Sequence, residues 1–193
     1  MSDYQRLRDW AAGLFQGERV TLRPIEEHDI EIICDWWDNP DITLFNDSHI
    51  VRRPRVVNAE MVRSWAANKD AGGFSYAAEV EGQLVGQVSV HSIKAPALIG
   101  KLGIVVGPEF QDQGYGTEIL ELALRIAFTE YACRKVELLV FSYSDRGIHT
   151  YEKVGFQVEG RRRGNVMRAG RWYDDVTMGI MAEEYFARHR RPF

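Results

Sequence analysis

Cysteine is scarce in this chain. Its two thiols, Cys34 and Cys133, each stand among apolar neighbours, which reads as two reduced core residues and not a bridge or a metal pair. No apolar run approaches the roughly 18 residues of a membrane span. The stretch from Met1 to Leu14 alternates charge and has no signal-peptide core, so a cytoplasmic protein with no membrane partner is expected. His28, His49, His149 and His189 lack metal-ligand spacing, and no metal site is expected. An excess of positive charge is also missing. The net charge is −4, which argues against a dedicated DNA or RNA binder. Internal repeats and low-complexity tracts are absent.

What remains is ordinary for one globular domain: 193 residues, 45% hydrophobic and 27% charged. The expected organisation is a single domain over 1–193, with an N-terminal helical extension at 1–17, a core at 19–181 and a C-terminal helix and tail at 182–193. The charge is segregated. Eight acidic residues and no lysine or arginine lie between Glu26 and Asp47, and five arginines and no acid lie between Gly160 and Tyr173.

Periodicity gives the elements. Tyr4 to Phe15 has helical spacing, and Arg19 to Arg23 alternates as a strand that stops at Pro24. Glu26 to Trp37 reads as a helix with an acidic first turn, and 41–55 as irregular. Asn58 is placed as the N-cap of a helix to Asn68. Phe74–Val80 and Leu84–Ile93 form a hairpin about Glu81-Gly82-Gln83. Ile99–Val106 is a strand, Glu118–Tyr131 a helix, and Lys135–Phe141 a strand parallel to the one before. A helix from Ser144 to Lys153 ends at Gly155. Phe156–Arg162 and Arg171–Met181 make a last hairpin, and Ala182–Arg190 a closing helix. The order describes a mixed α/β sheet.

The chemistry centres on the loop between Val106 and the following helix, Gly107-Pro108-Glu109-Phe110-Gln111-Asp112-Gln113-Gly114-Tyr115-Gly116-Thr117. A loop that delivers free N–H groups at a helix start is a natural anion site, and Gly114 and Gly116 permit close backbone approach. A Walker loop would need a lysine after Gly116, and a dinucleotide fingerprint a third glycine where Ile119 stands. The pattern present, Gln-x-x-Gly-x-Gly after Pro-Glu-Phe, resembles the pyrophosphate loop of the GNAT superfamily of N-acetyltransferases. A second stretch, Ser144 to Gly160 with Tyr151-Glu152-Lys153-Val154-Gly155-Phe156 at its centre, resembles that family's Y-x-K-x-G-F segment. Gly170, Asp174 and Met178 further resemble the branch of ribosomal-protein N-terminal and spermidine acetyltransferases.

The resemblance covers residues 19–181 and implies a GNAT-type fold: a mostly antiparallel mixed sheet with a central, splayed parallel strand pair and flanking helices. It implies acetyl-coenzyme A as acyl donor. Ile104, Val105 and Val106 would lie along the pantetheine, with the N–H of Val105 or Val106 polarising the thioester carbonyl. Gln113, Gly114, Tyr115, Gly116 and Thr117 would hold the pyrophosphate, flanked by Gln111 and Asp112, with Ser144 on the pantetheine arm where the family usually has asparagine. Tyr151 would be the general acid. The position matching an acidic residue of related transferases is Lys101, so no base carries over; Glu79, His91 and Asp174 are candidates.

The implied reaction is direct transfer to a primary amine in a ternary complex, since neither cysteine is placed for a covalent relay. The acidic run would favour a polyamine, an aminoglycoside or a protein N-terminus, with Trp36, Trp37 and Phe45 as walls. The arginine cluster could face an acidic partner or ribosomal RNA, or be a plain exposed hairpin; the first helix could support a homodimer. A non-catalytic acyl-coenzyme A sensor, a hydroxyl acceptor and a longer acyl chain stay open as alternatives.

Overall fold

The computed structural model describes residues 2–189. Seven strands form one sheet in the order β1-β2-β3-β4-β5-β7-β6. They are β1 (Thr21–Arg23), β2 (Phe74–Val80), β3 (Gln83–His91), β4 (Ile99–Val106), β5 (Lys135–Phe141), β6 (Gln157–Arg168) and β7 (Arg171–Met181). Every pairing is antiparallel except β4 with β5. The helices are α1 (Asp3–Gly13), α2 (Glu27–Asp38), α3 (Pro40–Asn46), α4 (Arg55–Ala66), α5 (Tyr115–Thr129), α6 (Asp145–Val154) and α7 (Ala182–Arg188). The expected mixed sheet with a central parallel pair is the observed one.

Two apolar layers hold the sheet. On one face α5 buries Ile119, Leu120, Leu122, Ala123, Leu124, Ile126, Ala127 and Phe128 against Val88, Val90, Val136 and Met178. Each fully buried Leu or Ile contributes roughly 1.5–3 kcal/mol, which outweighs any local preference of this segment. On the other face Ile30, Ile33, Cys34 and Trp36 of α2 pack with Ala59 and Val62 of α4 on Ala77, Leu84 and Val105. Because β3 lies between both layers, its burial is nearly continuous. Cys34 and Cys133 are free and buried, as expected.

Four readings of the sequence change. Residues 41–55 are not all irregular, because Asn39 caps α3 through Asp41 N–H at 2.8 Å and Pro40 suits the first helical position. Asn58 is no cap: α4 starts a turn earlier after Pro54, and Asn58 is buried within it. Helix α5 begins at Tyr115, so Gly114 stands at its N-cap and Gly116 in its first turn. Strand β6 runs on to Arg168, because only Ala169 and Gly170 are needed to turn the chain into β7. The closing helix ends at Arg188; Met1 and the expected helix end at Arg190, with the tail after it, lie outside the described residues.

Candidate active site

The parallel pair β4–β5 is joined only over Ile99↔Lys135, Gly100↔Val136 and Lys101↔Glu137. Beyond that point the strands part, although β4 continues to Val106 and β5 to Phe141. A cleft of about 830 Å³ opens in the gap. Backbone groups of β4 that would have bonded to β5 face it instead. Gly107 N–H donates to Val85 C=O at 3.0 Å, so strand alternation turns Gly107 and Val105 toward β3, and Val106 and Ile104 toward the cleft. Gln111 Nε2 donates to Val106 C=O at 3.2 Å from the cleft side, in agreement. This corrects one expectation: Val105 N–H does not serve the cleft, and its side chain packs with Trp36 in the second layer.

The loop after β4 is held by a short 3-10 turn at Pro108–Phe110. Gly107 must be glycine, because a Cβ there would sit 2.6 Å from Trp36 Cζ2. Trp36 is thus core and not a wall of the site. Gly114 immediately precedes α5 at φ 86, a left-handed conformation that glycine tolerates best. The N–H groups of Tyr115, Gly116 and Thr117 then have no partner inside the helix, and the helix dipole adds to their positive potential.

A carboxylate in this first turn would repel an anion, but Glu118 is turned away. Its Oε1 accepts from Arg19 N–H at 2.7 Å and Val20 N–H at 2.9 Å. Burial acts to raise its pKa, yet these backbone donors and Arg19 hold it below the ordinary value. Arg19 Nη1 also donates to Gln113 C=O at 3.1 Å and its guanidinium lies 4.8 Å from the Tyr115 ring centroid. Two cations therefore flank the loop, Arg19 on one side and Arg146 of α6 on the other, where Nη2 donates to Gln111 Oε1 at 2.6 Å. Sequence reasoning missed both, because they come from elements 34 or more residues away from their partners.

Helix α6 sets Tyr151. Phe156 N–H and Gly155 N–H donate to Tyr151 C=O at 3.0 and 3.1 Å, Gly155 N–H also donates to Glu152 C=O at 3.0 Å, and the Phe156 ring meets the Tyr151 ring edge-on at 5.9 Å. This helix ending is the physical content of the Tyr-Glu-Lys-Val-Gly-Phe sequence: it fixes the backbone of the tyrosine that lines the cleft. Burial pushes the Tyr151 hydroxyl up to about 12. Ser144 stands at the N-cap position of the same helix, buried, with no capping bond from its side chain. Ile104, Val105, Val106, Gln111, Asp112, Gly114, Gly116, Thr117, Ser144 and Tyr151 all border the one cleft. Gln113 and Tyr115 do not; the first is tied back to Glu109 C=O at 3.1 Å, the second lies under Arg19.

Of the three candidate bases, Glu79 is paired with Arg23 and Asp174 accepts from Gly164 N–H at 2.9 Å and Arg161 at 3.3 Å. His91 borders the cleft beside Lys101; burial, with the Lys101 charge, lowers its pKa. Much of the acidic run is paired, although Glu31, Asp35 and Asp38 share one arginine and Asp41 borders the cleft. Glu27 pairs with Arg63, Asp29 with Arg23, Glu31 and Asp35 with Arg55, and Asp47 with Arg53. Among the arginines at 161–171, Arg161 and Arg162 pair with Asp174 and Asp175. Arg168 is buried and donates to Ser48 C=O at 2.9 Å, which ties the end of β6 to the segment after α3. Among the described residues no three His, Cys, Asp or Glu side chains gather as a metal site, and no helix is long and apolar enough to cross a membrane.

Comparison with known proteins places this geometry. The chain is 28% identical over 182 residues to the SPbeta prophage-derived uncharacterized N-acetyltransferase YokL of Bacillus subtilis, covering 93% of this chain and 99% of that one. It is 25% identical over 174 residues to spermidine N(1)-acetyltransferase of Escherichia coli, covering 90% and 91%. The fold matches the crystal structure of spermidine N-acetyltransferase from Vibrio cholerae in complex with CoA and spermine, with TM-score 0.79, 23% identity and coverage of 88% of this chain and 99% of that one. The acetyltransferase (GNAT) domain family matches residues 19–157, which takes in all of β4, α5, β5 and α6, and the chain therefore belongs to the GNAT family of N-acetyltransferases.

Proposed function

We propose that this protein transfers an acetyl group from acetyl-coenzyme A to a primary amine, directly, in a ternary complex. The observation that carries the reading is the joining of three features in one cleft: the parting of β4 from β5, the free amides at the start of α5, and Tyr151. The amides of Tyr115, Gly116 and Thr117, with Arg19 and Arg146 beside them, suit a diphosphate. The exposed edge of β4 at Ile104 and Val106 offers backbone partners for the amides of a pantetheine arm. A backbone N–H on this edge is positioned to polarise a thioester carbonyl. Ser144 Oγ, free of any capping bond, is a further polar contact for the arm.

The chemistry balances around Tyr151. A neutral amine attacks the thioester carbon, a C–N bond forms, the C–S bond breaks, and one proton must pass from nitrogen to sulfur. Tyr151 is protonated at neutral pH and can give its proton to the thiolate and recover one from the ammonium nitrogen, directly or through water. His91, held neutral, can take the proton the amine carries in solution. The buried thiols Cys34 and Cys133 do not border the cleft, which favours direct transfer over a covalent relay.

The reading is tested by calorimetry with acetyl-coenzyme A and by thiol release across polyamines, aminoglycosides, amino acids and N-terminal peptides. Binding with amine-dependent thiol release is the expected result. Binding without release from any amine would favour a sensor, and release with alcohols only would reassign the acceptor.

A further inference from the structure

The sheet carries a second cleft, of about 690 Å³, on the face opposite α5. Its floor is Ser75 of β2, Gln87 and Ser89 of β3, and Gly103 of β4. Trp37 of α2 and Trp65 of α4 form a wall, their ring centroids 5.9 Å apart. The second cleft adjoins the first: Asn46, His91, Gly103, Ile104 and Val105 border both. Whatever occupies it lies beside the stretch of β4 where the acyl group is proposed to sit.

Two buried polar atoms of residues that border this cleft lack partners. Gln87 is 5% exposed; its Nε2 donates to Ser75 Oγ at 3.2 Å, while its Oε1 has no hydrogen-bond partner. Turning the amide over would only exchange which of its atoms is left over, because Ser75 Oγ can either accept or donate. The Trp37 indole Nε1–H is likewise buried without an acceptor. Native proteins rarely leave such groups unpaired. A ligand that supplies one donor and one acceptor here satisfies both.

The cleft is also close to neutral. Its charged side chains, Lys69 and Asp70, cancel, and His91 is held toward its uncharged form. The carboxylates of α2 that could have held a second cation are already paired: Glu31 and Asp35 with Arg55, and Glu27 with Arg63. A polycation would find aromatic rings and hydroxyls here, but no free carboxylate cluster.

Resting on the N-acetyltransferase reading, we infer that this second cleft is the acceptor site and that it selects a primary amine on a neutral frame bearing a carboxamide or hydroxyl, which meets Gln87 and the Trp37 indole. The amine itself reaches past His91 to the shared stretch of β4. The apolar part of the frame lies against Trp37 and Trp65. This sets the chain apart from relatives named for spermidine.

The test uses the coenzyme A-loaded protein and three amines of matched length: cadaverine, the corresponding amino alcohol and the corresponding amino carboxamide, with spermidine as a fourth. Binding is read from tryptophan fluorescence, and turnover from thiol release with acetyl-coenzyme A. The carboxamide and the alcohol should bind roughly tenfold or more tightly than cadaverine or spermidine. Gln87→Leu and Trp37→Phe should each remove most of that preference while leaving calorimetric affinity for acetyl-coenzyme A unchanged. Gln87→Glu should move the preference toward the diamine. Equal or tighter binding of cadaverine or spermidine to the unsubstituted protein overturns the inference, as does an unchanged ranking in Trp37→Phe. Thiol release that favours the diamines sinks this inference alone. The expected binding order with no thiol release sinks the transferase reading and leaves the selectivity of the cleft standing.

Discussion

Arg146, at the start of α6, reaches across the mouth of the first cleft to Asp112 in the loop before α5, with Nη1 3.1 Å from Oδ2. Both side chains are largely exposed, at 57% and 73%, so screening by water and salt leaves the pair little influence on stability. Its importance is positional: it sets a guanidinium beside the free amides of α5. Arg146→Ala should leave the thermal midpoint nearly unchanged and weaken acetyl-coenzyme A binding several-fold, more at low salt than at high salt. Calorimetry at two ionic strengths checks both parts.

Tyr151→Phe keeps the ring that packs on Phe156 and removes only the hydroxyl. Turnover should fall on the order of a hundredfold or more with acetyl-coenzyme A affinity intact. Because burial holds the hydroxyl at about 12, it stays protonated across the working range. The rate should therefore show no descending limb from this group between about pH 7 and pH 10. A descending limb in that interval that disappears in Tyr151→Phe would show the hydroxyl ionising there, and turnover unchanged in Tyr151→Phe would remove the tyrosine from the proton path.

Asp29 is a fully buried carboxylate at the start of α2. Its oxygens accept from Arg23 at 2.6 and 2.9 Å and from Glu26 N–H at 2.8 Å. Burial opposes the charge, but Arg23 and the backbone donor outweigh it, and the pKa is lowered. The stabilisation is thus present above the unfolded value near 3.9 and is lost as pH falls through the lower folded value. Asp29→Asn should cost about 3 kcal/mol at neutral pH, and the difference from the unsubstituted protein should shrink on acidification. Denaturant titrations at neutral and acid pH measure this.

Burial raises the pKa of both thiols, Cys133 to about 11. Neither should react with a disulfide reagent in the native protein, and both should react on unfolding. Cys34→Ser should leave turnover within about twofold when stability is allowed for. A large loss of turnover at full folding would revive a covalent relay.

Much of the fold was legible because its signals are local. Alternation marked the strands, apolar spacing marked α5, and Gly155 marked the end of α6. Glycines before a helix start pointed to free backbone donors, which the start of α5 has, while Tyr151 came from the resemblance of the Tyr-to-Phe segment. Element boundaries were less legible. Asn58 has the chemistry of a cap, but packing in the second layer placed it inside α4. The pairing of much of the acidic run was not legible, because sequence does not show that Arg55 and Arg63 fold back across α2.

The sequence by itself determined which backbone donors would be free near Gly114 and which tyrosine would stand at the end of α6, because hydrogen bonds within a turn or a helix span at most about five residues. The tertiary structure alone decided that Val106 and not Val105 faces the gap, that Arg19 and Arg146 flank the loop, and that Gln87 and Trp37 share a neutral cleft. Those outcomes depend on strand register, on the divergence of β4 from β5, and on charges brought together from distant parts of the chain.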